Sequence, residues 1–342
     1  MAQPDQLAHR IPDASPGPPR TAITATTLRD LLATEKPHRS QLLQHEELLL
    51  VTVGHGSHDI DFVTYPCRPG TLLRAGVGQV VRPGAQSGLD AIVVRWRADH
   101  DLPAGGWDIR HGDRDAGGDH VMPHGQACWQ LAGETEDAII TEVSQLVVDS
   151  RRPHRSRLFD ELLRHQLRVL LLRIALLPEE AAAGVDHGVP GAGRDAAGGP
   201  ANGSSRRDTF RQFRAEVERD FARTRRVEEY AERLQCAVRT LTRASLDVAG
   251  RTAKQVIDDR VALQAKRLLA ATPLPVAEIG QRLGFAEPTN FGRFFQREVG
   301  CSPGTFRAGI TDRPPVTDRV TATGMIGTCR SPRAATMRYE QH

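Results

Sequence analysis

The C-terminal part of the chain contains two copies of one pattern, and this internal repeat limits the possible folds more than any other feature. The copies are offset by about 50 residues, a period typical of repeated supersecondary units. Before the turn of each copy the offset is one residue smaller than after it. The turn of the second copy therefore contains one residue more than the turn of the first copy. The aligned pairs are Leu234 and Leu283, Leu241 and Phe291, Arg243 and Arg293, and Gly250 and Gly300.

The second copy indicates what each unit is. Val276, Ile279 and Leu283 recur at helical spacing and give a first helix one apolar stripe. A glycine follows that stripe, at a position where a helix ends with a positive φ. The helix after it turns its aromatic residues inward: Phe291, Phe294 and Phe295. Two short helices joined by a brief turn predict a helix-turn-helix, with one unit at about 227–248 and the other at about 276–299.

A single long helix is predicted between the two units, from 252 to 271. Thr252 suits its N-cap, and Pro273 lies just beyond its end. Its apolar positions can pack against both units. The two units are therefore expected at opposite ends of one connecting helix.

Short motifs run through residues 208–308 in a fixed order and spacing. They are A-x-x-L at Ala231 and Leu234, L-T-R at Leu241–Arg243, I-x-x-x-L-G-F at Ile279–Phe285, N-F-x-R-x-F at Asn290–Phe295 and G-x-S-P-x-x-F-R at Gly300–Arg307. Taken together, they resemble the DNA-binding domain of the AraC/XylS family of transcription regulators. Gln235 and Ala237 depart from the family, which often has glycine and a capping serine there, and this departure concerns the docking of the first unit.

The resemblance implies that the second helix of each unit contacts double-stranded DNA. Arginine suits guanine and phosphate, and asparagine suits adenine. The side chains expected to touch DNA are Arg239, Thr240, Thr242 and Arg243 in the first unit and Thr289, Asn290 and Arg293 in the second. Because the units repeat in the same chain direction, one monomer is expected to read a non-palindromic site with two contact zones about 10 bp apart.

The charge distribution agrees with this interpretation. Residues 208–307 carry 18 Lys and Arg against 13 Asp and Glu, a net charge of +5, whereas residues 1–207 carry 22 against 26, a net charge of −4. A basic domain attached to a mildly acidic one is typical of a DNA-binding protein. The alternative is an arginine-rich surface without that role, because only three of the 45 basic residues are lysine.

The positions of the cysteines and the hydropathy of the chain indicate the cellular compartment in which the protein is expected. The five cysteines are scattered without a C-x-x-C pair, which argues against a disulfide framework or a zinc site and favours a reducing environment. No apolar run of secretory type is present, and the richest apolar stretch, 169–177, is interrupted by Arg173. We therefore expect a soluble, cytoplasmic protein with no membrane partner.

The N-terminal part has the pattern of a β domain. Five short strand-like runs are divided by Gly and Pro clusters: ELLLVTVG, HDIDFVTY, GTLLRAG, QVVRPG and LDAIVVRWRA. This spacing predicts a small β-barrel or jelly roll, and the order of the runs resembles the cupin-like effector domain of many AraC-type regulators. The predicted fold class is α+β multidomain, with a cupin-like barrel and dimerisation helices followed by an all-α double helix-turn-helix domain.

The domain boundaries follow from these patterns. Residues 1–20 are rich in proline and are expected to be disordered, and residues 21–177 are expected to form the effector-binding and dimerisation domain. Residues 178–207 have the Gly/Ala-rich composition of a flexible linker. The DNA-binding domain is expected at 208–308, followed by a disordered tail at 309–342.

Residues 134–177 are expected to be helical, with repeated apolar contacts at i, i+3 and i+4. Such a pair of helices either covers the barrel within one subunit or forms a dimer seam. The family resemblance favours a homodimer, in which Leu163 and Leu170 would lie in the seam.

The strands also carry polar residues that suggest a ligand pocket. A small anionic or hydroxylated effector would be bound by His58, Tyr65, Arg68, Arg74 and Arg82. His55 and His58 form an H-x-x-H pair, but no downstream Glu and His completes the metal set of cupin enzymes. A turn-exposed pair is therefore favoured over a metal site. No nucleophile or nucleotide-binding motif is present, and no cofactor is expected.

The sequence thus predicts a ligand-responsive, sequence-specific transcription regulator rather than an enzyme. Its expected partners are double-stranded DNA, a small-molecule effector, a second copy of the chain and RNA polymerase. The alternative is a cupin-type metalloenzyme with an appended helical domain. Activation and repression are both open at this stage.

Overall fold

A computed structural model describes residues 23–34, 40–97, 128–152, 156–177 and 200–311. The N-terminal ranges form an antiparallel sheet flanked by helices, and the last range forms a helical domain with its own core. This arrangement confirms the predicted combination of an N-terminal β domain with helices and a C-terminal all-α domain. None of the described helices is both long enough and apolar enough to cross a membrane.

The N-terminal part is built on a seven-stranded antiparallel sheet. Its strands are β1 Thr24–Thr27, β2 Gln41–Leu42, β3 Glu46–Ile60, β4 Val63–Cys67, β5 Thr71–Ala75, β6 Val80–Trp96 and β7 Cys128–Gln130. The strand order is β1-β6-β3-β5-β7, with β2 paired to β6 and β4 paired to β3. The pairings of the described strands do not join β1 to β7, so closure of this sheet into a barrel stays a prediction.

Both faces of the sheet are buried, which explains the unbroken apolar run at the start of β3. Three helices accompany the sheet: α1 Leu28–Thr34, α2 Gly133–Ser150 and α3 Arg157–Ala175. Leu48 and Leu50 belong to the core that the sheet shares with α2 and α3. Leu49 and Val51 belong to the core on the opposite face, together with residues of α1. Successive residues of β3 thus enter two different cores.

The course of two strands differs from the prediction. The pattern predicted one strand through HDIDFVTY, but the chain turns at Asp61 and Phe62, between β3 and β4. Those two residues preserve the alternation of polar and apolar side chains, so no breaker residue marks the turn. Conversely, Pro83 was expected to end a strand, and β6 continues through it. Proline is tolerated there because Pro83 pairs with His58 beside a register shift.

The predicted helices over 134–177 are present as α2 and α3. Leu163 and Leu170 are fully buried in the core between these helices and the sheet. Their predicted place in a dimer seam is therefore wrong, because their side chains complete the core of their own subunit. Other large apolar residues of α3 are exposed instead: Leu158, Leu162 and Val169, with Leu176 just beyond the end of the helix.

The helical domain contains the repeat. Its helices are α4 Pro200–Asp220, α5 Val227–Arg233, α6 Val238–Ala249, α7 Ala253–Ala271, α8 Val276–Arg282, α9 Pro288–Val299 and α10 Pro303–Thr311. Helices α6 and α9 have 12 residues each, and each ends at a glycine of positive φ, Gly250 or Gly300. Thr252 caps the connecting helix α7 in a capping box with Gln255, as the N-cap prediction required.

Two predicted boundaries differ from the structure. The linker was predicted over 178–207, but α4 already begins at Pro200. The reason is an apolar face on α4, centred on the fully buried Phe213, which packs into the core of the helical domain. At the other end, α10 continues to Thr311. The predicted disordered or flexible segments at 1–20, 178–199 and 312–342 lie outside the described residues.

Candidate nucleic-acid interface

Each unit turns between its two helices with one residue in the left-handed region. In the second unit this residue is Gly284, with a φ of +77°. In the first unit it is Gln235, with a φ of 50°. A side chain in this region costs about 1–2 kcal/mol. The departure from glycine at Gln235 therefore leaves the turn in place and adds strain to it.

The helices of each unit pack closely at a small residue. A Cβ added to Gly280 of α8 would lie 3.0 Å from the Cβ of Phe291 of α9. In the first unit Ala231 is buried at the corresponding position. This close packing buries the inner face of each second helix and leaves its outer face to solvent.

The segment between α4 and α5 braces the second unit. A Cβ added to Gly284 would come within 2.3 Å of the carbonyl oxygen of Ala222. The guanidinium of Arg225, just before α5, lies 3.6 Å from the centre of the Phe285 ring. The segment that leads into the first unit thus contacts the turn of the second and fixes the two units relative to each other. Sequence reasoning missed Arg225, because its partner lies far along the chain.

The seven residues predicted to touch DNA all lie on α6 or α9. Six of them are exposed, and Thr242 is half-buried. The opposite faces of the two helices are buried through Leu241 and Ala244 in α6 and through three phenylalanines in α9. The structure therefore brings the predicted residues together on the outer faces of two equivalent helices.

Three arginines on these faces differ from many other arginines of the domain. Within the described ranges, Arg239, Arg243 and Arg293 make no ion pair with a carboxylate. Elsewhere in the domain such pairs are frequent: Arg206 with Asp247, Arg219 with Glu216, Arg260 with Glu218 and Arg282 with Glu278. Unpaired, exposed guanidinium groups on both second helices are suited to bind phosphates or base edges.

A basic surface depression beside α6 was not anticipated from the sequence. It has a volume of about 410 Å³, and Arg225, Arg226, Thr242 and Lys254 are among the residues that line it. These residues come from the segment before α5, from α6 and from the start of α7. The arginines at 223–226 are the sequence signal that could have marked it.

The connecting helix sets the separation of the two units. Helix α7 has 19 residues, so it spans roughly 28 Å at the α-helical rise. Successive major-groove segments on one face of B-DNA are ~34 Å apart. The length of α7 is thus comparable to the distance between successive major-groove segments.

The arginines predicted to bind an effector do not converge on a pocket. Arg74 pairs with Glu46 at 3.3 Å, and Arg82 pairs with Asp59 at 2.7 Å. The Nε of Arg68 donates a hydrogen bond to a glutamine side chain. The reason is that each of these guanidinium groups already binds a carboxylate or an amide of its own sheet.

Of the other two predicted effector residues, Tyr65 is buried in the core and His58 lines a small cavity beneath α1. The cavity has a volume of about 20 Å³. Its polar lining includes Glu47 and Arg95, and the Nε of Arg95 donates a hydrogen bond to Glu47 Oε2 at 2.8 Å. Its apolar lining includes Leu28, Leu31, Leu32, Leu49 and Val93.

The burial of this cluster determines its charge state. Burial lowers the pKa of His58, and the charges of Glu47 and Asp59 offset this only in part. Burial would raise the pKa of Glu47, but His45, whose Nε2 lies 3.6 Å from Glu47 Oε2, and the charge of Arg95 hold that pKa below its usual value. The expected turn-exposed position of His58 is wrong, because the residue lies within the continuous strand β3. Among the described residues, no group of three His, Cys, Asp or Glu side chains is placed to bind a metal ion.

Comparisons with known proteins concern mainly the helical domain. Residues 230–309 match the family described as "Helix-turn-helix domain". The chain is 41% identical over 56 residues to the arabinose operon regulatory protein of Escherichia coli K12, covering 16% of this chain and 19% of that protein. It is 32% identical over 98 residues to the HTH-type transcriptional activator RhaS of Salmonella schwarzengrund, covering 29% and 35%. The matches thus span between 19% and 35% of the length of these two relatives.

Two solved structures are also similar to this chain. Apo ToxT K231A from Vibrio cholerae is 11% identical, with a TM-score of 0.39, over 85% of this chain and 94% of its own. The DNA-binding domain of AdpA, in complex with a target DNA, is 31% identical, with a TM-score of 0.28, over 30% of this chain and 96% of its own.

Proposed function

We propose that this chain is a sequence-specific, DNA-binding regulator of transcription, because residues 230–309 match a helix-turn-helix family and the chain is similar to named regulators over part of their length. One observation carries the proposal most directly. Arg243 and Arg293 stand at equivalent positions on the exposed faces of α6 and α9, each without a carboxylate partner among the described residues. Relatives that are transcription regulators by name support the regulatory part of the proposal.

The proposed contacts divide into two kinds. Arg243, Arg293 and Asn290 read base edges in the major groove, since arginine pairs with guanine and asparagine with adenine, each worth about 1–3 kcal/mol of discrimination. Arg226, in the depression beside α6, contacts phosphate. A phosphate contact strengthens binding to all sequences and raises its dependence on salt.

The proposed site has two contact zones on one DNA molecule. The zones lie about 10 bp apart, because α7 places the two second helices roughly one helical turn of DNA from each other. The brace formed by Arg225 and Ala222 keeps that separation fixed. The site is not palindromic, because the two units follow each other in the same chain direction.

Selection from random-sequence double-stranded DNA, followed by footprinting of the selected site, tests the proposal. We expect two protected groove segments for each monomer. Arg293→Ala should relax base preference in one segment and Arg243→Ala in the other. Arg219→Ala is the matched control, since it removes an exposed, paired arginine from α4 and should leave both preferences unchanged.

Two results would contradict this reading. A single protected segment per monomer would show that the two units do not bind neighbouring parts of the groove. An equal loss of affinity on all sequences, for both recognition-helix variants, would show that Arg243 and Arg293 only hold phosphates.

The cavity beneath α1 is the proposed effector site. Buried His58, beside the ion pair of Glu47 and Arg95, offers a hydrogen-bonding group within an apolar wall, as small-molecule sites do. A volume of about 20 Å³ admits roughly one water molecule, so a larger molecule requires α1 to move outward. The proposed ligand is a small polar molecule.

A thermal-shift screen of small polar metabolites against the full chain tests this site. A true ligand should raise the unfolding temperature of the wild type and of Arg68→Gln, which changes a residue outside the cavity. It should have a weaker effect on His58→Gln. Compounds that stabilise all three proteins equally would show that binding occurs elsewhere.

A second copy of the chain is the proposed occupant of the exposed face of α3. Leu162, Val169 and Leu176 recur every seven residues, and Leu158 lies on the same face. Such spacing is typical of a seam between two helices, and a matching helix is supplied by a second copy. This face takes the place of the seam that the sequence suggested at Leu163 and Leu170.

A further inference from the structure

The basic depression beside α6 has the size and the charge of a site for a small anion. Its volume of about 410 Å³ lies within the range of roughly 300–1,000 Å³ that is usual for ligand pockets. Among the described residues that line it, three are cationic and one is acidic: Arg225, Arg226, Lys254 and Glu228. Val227 and Val238 add an apolar part to the wall.

Arg225 is held in place without an anionic partner. Its guanidinium lies over the Phe285 ring, 3.6 Å from the ring centre, and its Nη2 donates to the carbonyl oxygen of Gly284 at 3.5 Å. None of the ion pairs among the described residues includes Arg225. Burial lowers the pKa of Arg225, because its charge has lost part of its hydration. An anion in the depression would stabilise this charge at a guanidinium that is already oriented.

The other two cations are available to the same anion. The Nε of Arg226 lies 4.0 Å from Glu228 Oε2 and 3.9 Å from Glu229 Oε1, and the side chain is 73% exposed. Such long contacts in solvent are weak, so Arg226 can turn towards a ligand at little cost. Lys254 pairs with Asp258, but half of its side chain is exposed, and it adds its charge from the start of α7.

Two helices begin at the depression and add to its positive potential. Val238 is the first residue of α6, and Thr252 is the N-cap of α7; both line the depression. Neither helix has an acidic residue in its first turn. The positive ends of the two helix dipoles are therefore not neutralised locally, and they support the three cations.

The second helix-turn-helix unit lacks the equivalent groups. The counterparts in the repeat are Leu274 for Arg225, Pro275 for Arg226 and Gly304 for Lys254. The arginines of the recognition helices, Arg243 and Arg293, occur in both units instead. The three cations of the depression thus belong to the first unit, which favours a ligand of that unit over a backbone contact that both units share.

We propose that the depression binds a free phosphorylated small molecule, and that this ligand excludes DNA from the first unit. A phosphate group carries about two negative charges and several acceptor oxygens, which match the N–H donors of two guanidinium groups and one ammonium group. The half-buried Thr242 of α6 lines the depression, so the ligand lies beside the face proposed to enter the major groove. The backbone phosphate proposed to contact Arg226 requires the same groups. The exclusion of DNA rests on the proposed function, whereas the phosphate site does not.

Calorimetric titration of the full chain with inorganic pyrophosphate, at constant ionic strength, tests the site. We expect saturable binding of one pyrophosphate per chain. Arg225→Gln should weaken it by about tenfold, because a hydrogen-bonded charge is lost. Arg226→Gln should weaken it by about threefold, and its exposure protects this variant from a loss of folding. Arg219→Gln is the matched control, since this exposed, paired arginine lies on α4 outside the depression.

The outcomes of the titration decide the site. Affinity that falls in both depression variants and stays unchanged in the control supports it. No saturable binding by the wild type would overturn the proposal. Equal affinity in the wild type and in both depression variants would also overturn it, because pyrophosphate would then bind elsewhere.

Footprinting on the selected DNA separates a free phosphate from a backbone phosphate. Saturating pyrophosphate should reduce protection of the contact zone of α6 by at least about tenfold compared with sodium chloride of the same ionic strength. Undiminished protection would overturn the exclusion of DNA. Variants that lose DNA affinity, from a wild type that binds no pyrophosphate, would show that the depression holds only the DNA backbone. A wild type that binds pyrophosphate through Arg225 but selects no DNA would refute the proposed function and leave the phosphate site standing.

Discussion

The turn of the second unit gives the sharpest test of how the helical domain is held together. We predict that Gly284→Ala destabilises the domain by roughly 2–5 kcal/mol. A φ of +77° costs a side chain about 1–2 kcal/mol. The new Cβ would also lie 2.3 Å from the carbonyl oxygen of Ala222, and overpacking of this kind costs typically about 1–3 kcal/mol. Both contacting groups are fixed to the backbone, so no side-chain rotation can relieve the contact.

The measurement is urea unfolding of residues 200–311, which contain a complete core of their own, followed by circular dichroism of the helices. Gly292→Ala is the matched control in the same unit. A Cβ there meets no atom within 4 Å, and alanine in place of glycine within a helix should stabilise by up to about 1 kcal/mol. The two variants should therefore shift the unfolding midpoint in opposite directions.

The prediction also has a consequence for binding. To accommodate the new Cβ, the turn must move away from Ala222, and Arg225 then loses its position over the Phe285 ring. We expect weaker protection of the second contact zone and little change in the first. If Gly284→Ala and Gly292→Ala have the same stability within about 0.5 kcal/mol, the brace formed by Ala222 and Arg225 does not hold the second unit in place.

Three further outcomes are expected. Gln235→Gly should stabilise the helical domain by about 1 kcal/mol, because glycine removes the cost of a φ of 50°; an unchanged midpoint of urea unfolding would count against strain at this turn. Leu162→Asp should convert a dimer to folded monomers in sedimentation experiments, whereas Leu163→Asp should unfold the N-terminal part, because its carboxylate would be buried without a partner; a folded monomer from Leu163→Asp would contradict the packing of α3. Because burial lowers the pKa of His58, the unfolded chain takes up a proton first as the pH falls below the ordinary value of 6.5, so stability that is present above that pH should be lost progressively as the pH falls below it. Urea unfolding of His58→Gln should show a flatter pH dependence in this window, and identical slopes would exclude His58 as the cause.

The helical domain was predictable from the sequence because its signals are local and occur twice. Each of these signals involves residues that are close together in the sequence. Examples are the apolar stripe of each first helix, the phenylalanines of α9 and the Thr252 cap. The repeat strengthened the helix-turn-helix interpretation, because the same unit occurs twice at a fixed spacing. The same alignment placed Arg243 and Arg293 on equivalent exposed faces, where the structure has them.

The N-terminal part was predictable as a β domain but not in its pairings. The runs around Leu48–Val51 show strand character, yet burial on both faces removes the alternation that would tell which side faces which core. The prediction of the effector-binding residues was wrong for a related reason. Arg74 and Arg82 look available in the sequence, and their carboxylate partners on neighbouring strands become visible only when the register is known.

The contact between the two parts shows how a local pattern can hide a long-range requirement. Asp61 and Phe62 continue a regular alternation, so the sequence alone predicts an extended strand, and the hairpin alone would favour Asn-Gly. The pair that is present fits the pattern of an extended strand but does not suit the turn that forms. It suits α7 and α10, which lie more than 200 positions further along and supply Arg267, Lys266 and Phe306. A bulky residue at a turn position that needs positive φ is thus a marker for a contact outside its own hairpin, and it becomes readable once the strand register has located the turn.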